Sequence, residues 1–131
     1  MLDEYVTDTH GLHWYLTASP KLGVNARAIF GRADMGNCAI LIPALVVAEL
    51  YYLNVKLKGD LDFKSEYQRL SNAAQFRFVD LCADDMLAFP LLSAIPEMHD
   101  RIIAGVAYRY GIPLLTKDAT IIDSGLVQTV W

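Results

Sequence analysis

Cysteine is scarce in this chain of 131 residues, with two in all, Cys38 and Cys82. Neither has a second cysteine or a histidine at zinc-site spacing, which excludes a structural zinc site. Cys38 is expected to begin one strand and Cys82 to end another parallel to it, on the order of 15 Å apart at strand rise. That separation excludes a disulfide, and both are expected to be small buried apolar residues. A long hydrophobic run is missing too: the longest, Cys38 to Ala48, is too short to span a bilayer. Met1-Leu2-Asp3-Glu4 is acidic where a secretory signal would be basic, so a cytoplasmic location is expected, with no membrane partner. None of the five serines lies in a Gly-x-Ser-x-Gly elbow, which excludes the usual serine hydrolase arrangement. No repeat, low-complexity stretch or composition shift marks a second domain, so residues 1–131 read as one.

Excess positive charge is also lacking, with 15 acids against 11 bases and a net charge of −4. Bulk charge therefore gives no electrostatic footprint of a nucleic-acid partner. The objection weakens if four of the acids hold divalent metal, because 11 acids then face 11 bases and the metal reverses the local field.

Strand and helix patterns alternate along the chain. Tyr5 to Asp8 reads as a first strand, with a helix through Leu12 to Leu16 capped by Asp8 or Thr9. His10 and His13 are three apart, but nothing at suitable spacing completes a metal set. Leu22, Ala26, Ile29 and Ala33 recur at helical spacing up to a turn at Gly36-Asn37. Gly31 to Gly36 has the glycine spacing of half a phosphate loop, yet Asn37-Cys38 stands where lysine and a hydroxyl are required. Ala39 to Ile42 is a continuous apolar run, as expected of a parallel strand covered on both faces, and Pro43 opens the next helix.

That helix carries Glu49 among Leu45, Val46, Tyr52 and Leu53, so its carboxylate projects from an apolar face. Burying an unpaired carboxylate is costly, and the position calls for a cation, a strong donor or a protonated state. Tyr51, Tyr52, Leu53, Val55 and Leu57 fall on several faces, which predicts contact with another chain, a second copy included. Gly59-Asp60 breaks the helix, and Phe63, Tyr67, Leu70 and Ala74 give a second arm, a helical hairpin protruding from the sheet. Phe76 to Leu81 reads as a third strand, Met86 to Leu92 as a helix disturbed by Pro90, and Asp84 and Asp85 as helix-start acids.

From Pro96 the pattern is helix, turn, strand and acid. Ile102, Ile103, Val106 and Ala107 form the apolar stripe, Gly111 ends the helix, Ile112 to Thr116 is a strand, and Asp118 follows. A last edge strand is expected within Val127 to Trp131. A helix feeding a parallel strand starts at the edge where that strand ends, so Asp100 and Asp118 share one crevice. Asp8 and Glu49 map to the same edge, where parallel α/β sheets bind ligands. Each acid alone has a bland reading, as a cap or a helix-start acid. Together they repel unless a cation neutralises them, and oxygen-only ligands favour Mg2+ or Mn2+ over zinc.

Tyr5-Val6-Thr7-Asp8-Thr9-His10, Val46-Val47-Ala48-Glu49-Leu50, Pro96-Glu97-Met98-His99-Asp100-Arg101-Ile102-Ile103-Ala104 and Leu115-Thr116-Lys117-Asp118 together resemble the PIN-domain metal-dependent nucleases, and within them the VapC-type ribonuclease toxins of toxin–antitoxin pairs. The resemblance implies a three-layer α/β/α fold on a short, mostly parallel sheet of four to five strands. It also implies that Asp8, Glu49, Asp100 and Asp118 are the catalytic and metal-binding acids, with Thr9 and Thr116 nearby as hydroxyl partners. RNA would be the substrate, Mg2+ or Mn2+ the cofactor, and a cognate antitoxin and a second copy the partners. Arg101 and Lys117, each beside a site acid, are candidates to hold flanking phosphates. Gly11 and His13 depart from the small or aliphatic residues such a pattern expects. Two alternatives remain: an inactive PIN-like assembly module, and an RNA-processing nuclease that is no toxin. A phosphoaspartyl enzyme would need a second acid where His10 stands.

Overall fold

The alternation of apolar strands and amphipathic helices resolves into a five-stranded sheet with every pairing parallel, in the order β3-β2-β1-β4-β5. In this computed structural model residues 2–59 and 61–131 are described, so Met1 in the acidic start and Asp60 in the expected break lie outside the described residues. The strands are β1 (Asp3–Thr7), β2 (Cys38–Pro43), β3 (Phe76–Val79), β4 (Leu114–Leu115) and β5 (Thr129–Val130). Helices cover both faces: α1 (Thr9–Leu16), α2 (Val24–Asp34), α3 (Ala44–Lys56), α4 (Phe63–Asn72), α5 (Met98–Tyr110) and α6 (Ala119–Ser124).

Ile40, Leu41 and Ile42 are wholly buried, because both faces of β2 are covered. The predicted stripe of α5 packs inward through Ile102, Ile103, Val106 and Ala107. Gly111 then stops that helix at φ 65°, a left-handed conformation that glycine adopts without a Cβ penalty. The chain steps from β1 to β2 to β3 in one direction, then returns to place β4 and β5 on the other side of β1. The strand order therefore reverses between β1 and β4.

Three segments differ from their sequence patterns. Cys82 is exposed and outside any strand, because β3 ends at Val79 and the Cys82 N–H donates to the Asp85 carboxylate at 2.9 Å, starting the next turn. That turn is a 3-10 helix (Ala83–Leu92), beginning before the expected Met86 and carrying Pro90, which has no N–H to offer an α-helical ladder. Ala74 falls beyond α4, which closes at Asn72. The α3–α4 hairpin is tied at its tip by Asn54, whose side chain donates to the Leu61 carbonyl at 2.8 Å and accepts from the Leu61 N–H at 3.3 Å. Tyr51, Tyr52, Val55 and Leu57 stay exposed there, while Tyr67 of α4 stacks on Phe78 at 5.1 Å.

The last residue closes the fold. The Trp131 carbonyl accepts from the Asn25 and Ala26 N–H groups at 3.0 and 3.3 Å, satisfying donors at the open end of α2. Gly23 makes this approach possible, since a Cβ there would lie 2.5–2.6 Å from Trp131. Gly23→Ala is expected to cost about 1–3 kcal/mol, the range for overpacking against atoms that cannot retreat, read as a lowered urea midpoint.

Candidate functional site

Four acids come to one cavity of about 870 Å3 at the carboxyl edge of the sheet, beside the reversal between β1 and β4. Asp8 and Asp118 arrive by the same local device: each follows a strand and caps the next helix. The Asp8 Oδ1 accepts from the Gly11 N–H at 2.8 Å, and the Asp118 Oδ1 from the Ile121 N–H at 2.9 Å. The capping reading of both residues therefore holds, and a cap leaves the second carboxylate oxygen for other work. Asp100 stands in the first turn of α5, whose cap is Glu97: the Asp100 N–H donates to Glu97 Oε2 at 2.7 Å.

Glu49 sits on α3 beside Leu45, Tyr52 and Leu53 of the cavity wall. The strong donor its apolar setting demands is the Thr9 hydroxyl, 2.6 Å from Oε1. Thr9→Val keeps the shape and removes the donor, so it is expected to destabilise the metal-free protein by about 1.5–3 kcal/mol, the range for a hydrogen bond to a charged group. Thr9→Ser, retaining the hydroxyl, should recover most of that loss in a denaturant titration.

The electrostatics follow from crowding like charges. Burial pushes the Asp8 carboxyl up, opposed by the Thr116 hydroxyl and the Gly11 N–H. Asp100 is pushed up to about 6, first by burial and then by the charges of Asp118, Glu97, Glu49 and Asp8. A cation among these groups would reverse that penalty. The donors are all oxygens, the preference of hard ions such as Mg2+ and Mn2+. Among the described residues no three acidic, histidine or cysteine side chains are closed into a ready-made ligand set.

Of the other expected residues, Thr9, Thr116 and Lys117 line the cavity. Arg101 is not brought there: its Nε donates to the Ile95 carbonyl at 2.6 Å and its guanidinium lies 5.8 Å from the Phe89 ring centre. Lys56 and His99 line the cavity without having been singled out in the sequence, and His10, weighed there only as a metal ligand paired with His13, lines it too. Lys56 was legible as the residue two turns after Glu49 on one helix stripe, 49, 52, 53 and 56. His99 stands 3.2 Å from Glu97 and 3.9 Å from Glu49, a placement set by the meeting of α3 with α5.

An acidic cavity outside the carboxyl ends of the strands, at the topological switch point, is where parallel α/β folds bind their ligands. The family model described as PIN domain matches residues 5–124, and the chain belongs to the PIN-domain family, whose members are nucleases. No curated protein sequence matches it. Solved structures share its fold at low identity. VapBC2 from Rickettsia felis, bound to a DNA fragment from its promoter, is 18% identical with a TM-score of 0.71, covering 97% of each chain. FitAcB from Neisseria gonorrhoeae is 16% identical with a TM-score of 0.70, covering 97% of this chain and 96% of that one. VapC20 from Mycobacterium tuberculosis, described as a Sarcin-Ricin loop cleaving toxin, is 15% identical with a TM-score of 0.71, covering 95% and 97%. Among the described residues no helix is long and apolar enough to cross a membrane.

Proposed function

We propose that this chain, as a single PIN domain, is a Mg2+- or Mn2+-dependent endoribonuclease acting through Asp8, Glu49, Asp100 and Asp118. The observation that carries the reading is the convergence of these four carboxylates on one cavity beside the strand-order reversal. A divalent ion held there supplies Lewis acidity and a bound water of lowered pKa. The chain's own residues do the rest. Asp8 and Asp118, fixed as caps, present carboxylate oxygens from rigid helix starts. The Thr9 hydroxyl donates to Glu49 and fixes the direction of its carboxylate toward the cavity. Lys117, on the cavity rim, faces the phosphate side of a bound strand.

Within this reading the protein is the toxin of a toxin–antitoxin pair, working in the cytoplasm. Support comes from the fold shared with toxins solved as VapBC and FitAB assemblies. Tyr51, Tyr52, Val55 and Leu57 on the hairpin offer an exposed apolar face for a second copy or the antitoxin. The test is cleavage of a mixed single-stranded RNA pool with Mn2+ or Mg2+, comparing folded wild type with Asp8→Asn and Glu49→Gln. Metal-dependent cutting lost in both variants supports the reading, whereas a wild type that neither cuts nor binds metal overturns it.

A further inference from the structure

Positive charge in this acidic molecule is unevenly used. Four arginines, Arg32, Arg69, Arg77 and Arg109, are ion-paired with acids, whereas among the described residues no lysine is. Two of those lysines, Lys21 and Lys117, meet at one indole: their ammonium groups lie 5.9 and 4.8 Å from the Trp14 ring centre. They come from opposite ends of the chain, one after α1 and one beside Asp118. Trp14 is held from below, half-buried, with Trp131 against its edge at 5.8 Å. On its other flank the exposed His10 ring stands at 5.1 Å, and His10 and Lys117 are also cavity wall. The cluster is thus continuous with the carboxylate cavity.

Two ammonium groups at one ring, neither in a salt bridge with an acid, leave positive charge beside the cavity that an anion would neutralise. The ring quadrupole attracts both and limits where they go. Lysines interleaved with aromatic rings are how single-stranded nucleic acid is gripped without sequence readout. We propose that Trp14, Lys21, Lys117 and His10 form a shelf at the cavity mouth that holds the RNA strand beside the scissile phosphate. The lysines contact the backbone phosphate, the His10 ring offers a stacking face to the adjoining base, and Trp14 is the positioning residue that aims them. This rests on the nuclease reading and adds to it where the strand runs, which the four acids alone do not specify.

The experiment separates the two. Cleavage of the mixed RNA pool by wild type reports on the nuclease reading. Binding of a fluorescent single-stranded RNA in Mg2+ is then measured in the Asp8→Asn background, alone and combined with Lys21→Gln, Trp14→Leu or Trp14→Phe. Lys21 is exposed, so its substitution does not threaten the fold. Lys21→Gln should weaken binding about threefold or more and reduce the slope of log K against log salt by about 0.7, the value for one phosphate contact on a single strand. Trp14→Leu should lose about threefold, the scale of an exposed cation–π contact, with Trp14→Phe recovering part of it. A merely structural Trp14 would leave Lys21→Gln silent and the salt slope unchanged. If wild type cuts RNA while these variants bind as their parent does, the shelf is wrong and the nuclease reading stands. RNA binding that depends on Lys21 and Trp14, with a wild type that neither cuts RNA nor binds Mn2+, would keep the shelf and overturn the nuclease reading. Absence of RNA binding overturns the shelf.

Discussion

Asp8→Asn is expected to lower metal-dependent RNA cleavage by about 100-fold or more, on the order of what a single preorganised electrostatic group contributes to a transition state. The amide is nearly isosteric and its oxygen can still accept the Gly11 N–H, so the cap and the start of α1 survive. What disappears is one negative charge from the oxygen-donor set, and with it much of the hold on a divalent ion. Glu49→Gln should lose a comparable factor, because its oxygen can keep the 2.6 Å bond to Thr9 while the charge is gone. The measurement is single-turnover cleavage at saturating protein, with circular dichroism melts as the fold control. Either variant cutting at near wild-type rate would remove that acid from the proposed site.

Metal and pH should act on stability in opposite directions through Asp100. In the metal-free protein its folded pKa, about 6, lies above the ordinary value of 3.8, so the folded state holds the proton more tightly than the unfolded chain. The associated stability is fully present below the unfolded value and is lost as pH rises through about 6. Asp100→Asn removes that loss. In a chelator at pH about 7.5 the variant should melt about 4 °C higher than wild type, after discounting for solvent screening of this half-exposed group, and the gap should close near pH 4. Mn2+ reverses the order. At a metal concentration 100 times Kd wild type gains about 2.7 kcal/mol, while the variant gains much less. That gain should fade as pH drops through about 6, because a protonated Asp100 no longer serves the ion. Equal metal-induced shifts in the two proteins, or a gain independent of pH, would count against a carboxylate site.

The particular acids show how far local chemistry reaches. Asp8 and Asp118 were readable twice over, as the residues after apolar strands and as caps, and both roles coexist in the fold. Asp100 was readable from connectivity, since α5 must begin at the edge where β4 ends. Glu49 announced itself by its apolar neighbours, which require a partner; the family resemblance put the Thr9 hydroxyl near the acids, and the structure pairs it with Glu49 in particular, 40 residues away. Cys82 failed for a converse reason. Its apolar surroundings suggested a continuing strand, but nothing local shows that β3 stops at Val79 once its four-residue register with β2 is used.

By itself the sequence determined the alternation of strands and helices, their parallel sheet and the edge on which four acids gather, because periodicity, caps and right-handed connection are short-range constraints. Only the tertiary structure decided which side chains enter that edge. It turned Arg101 away to Ile95, brought Lys56 and His99 into the cavity, and set Lys21 and Lys117 on Trp14. Side-chain direction there depends on packing between segments far apart in the chain, and no local pattern encodes that packing.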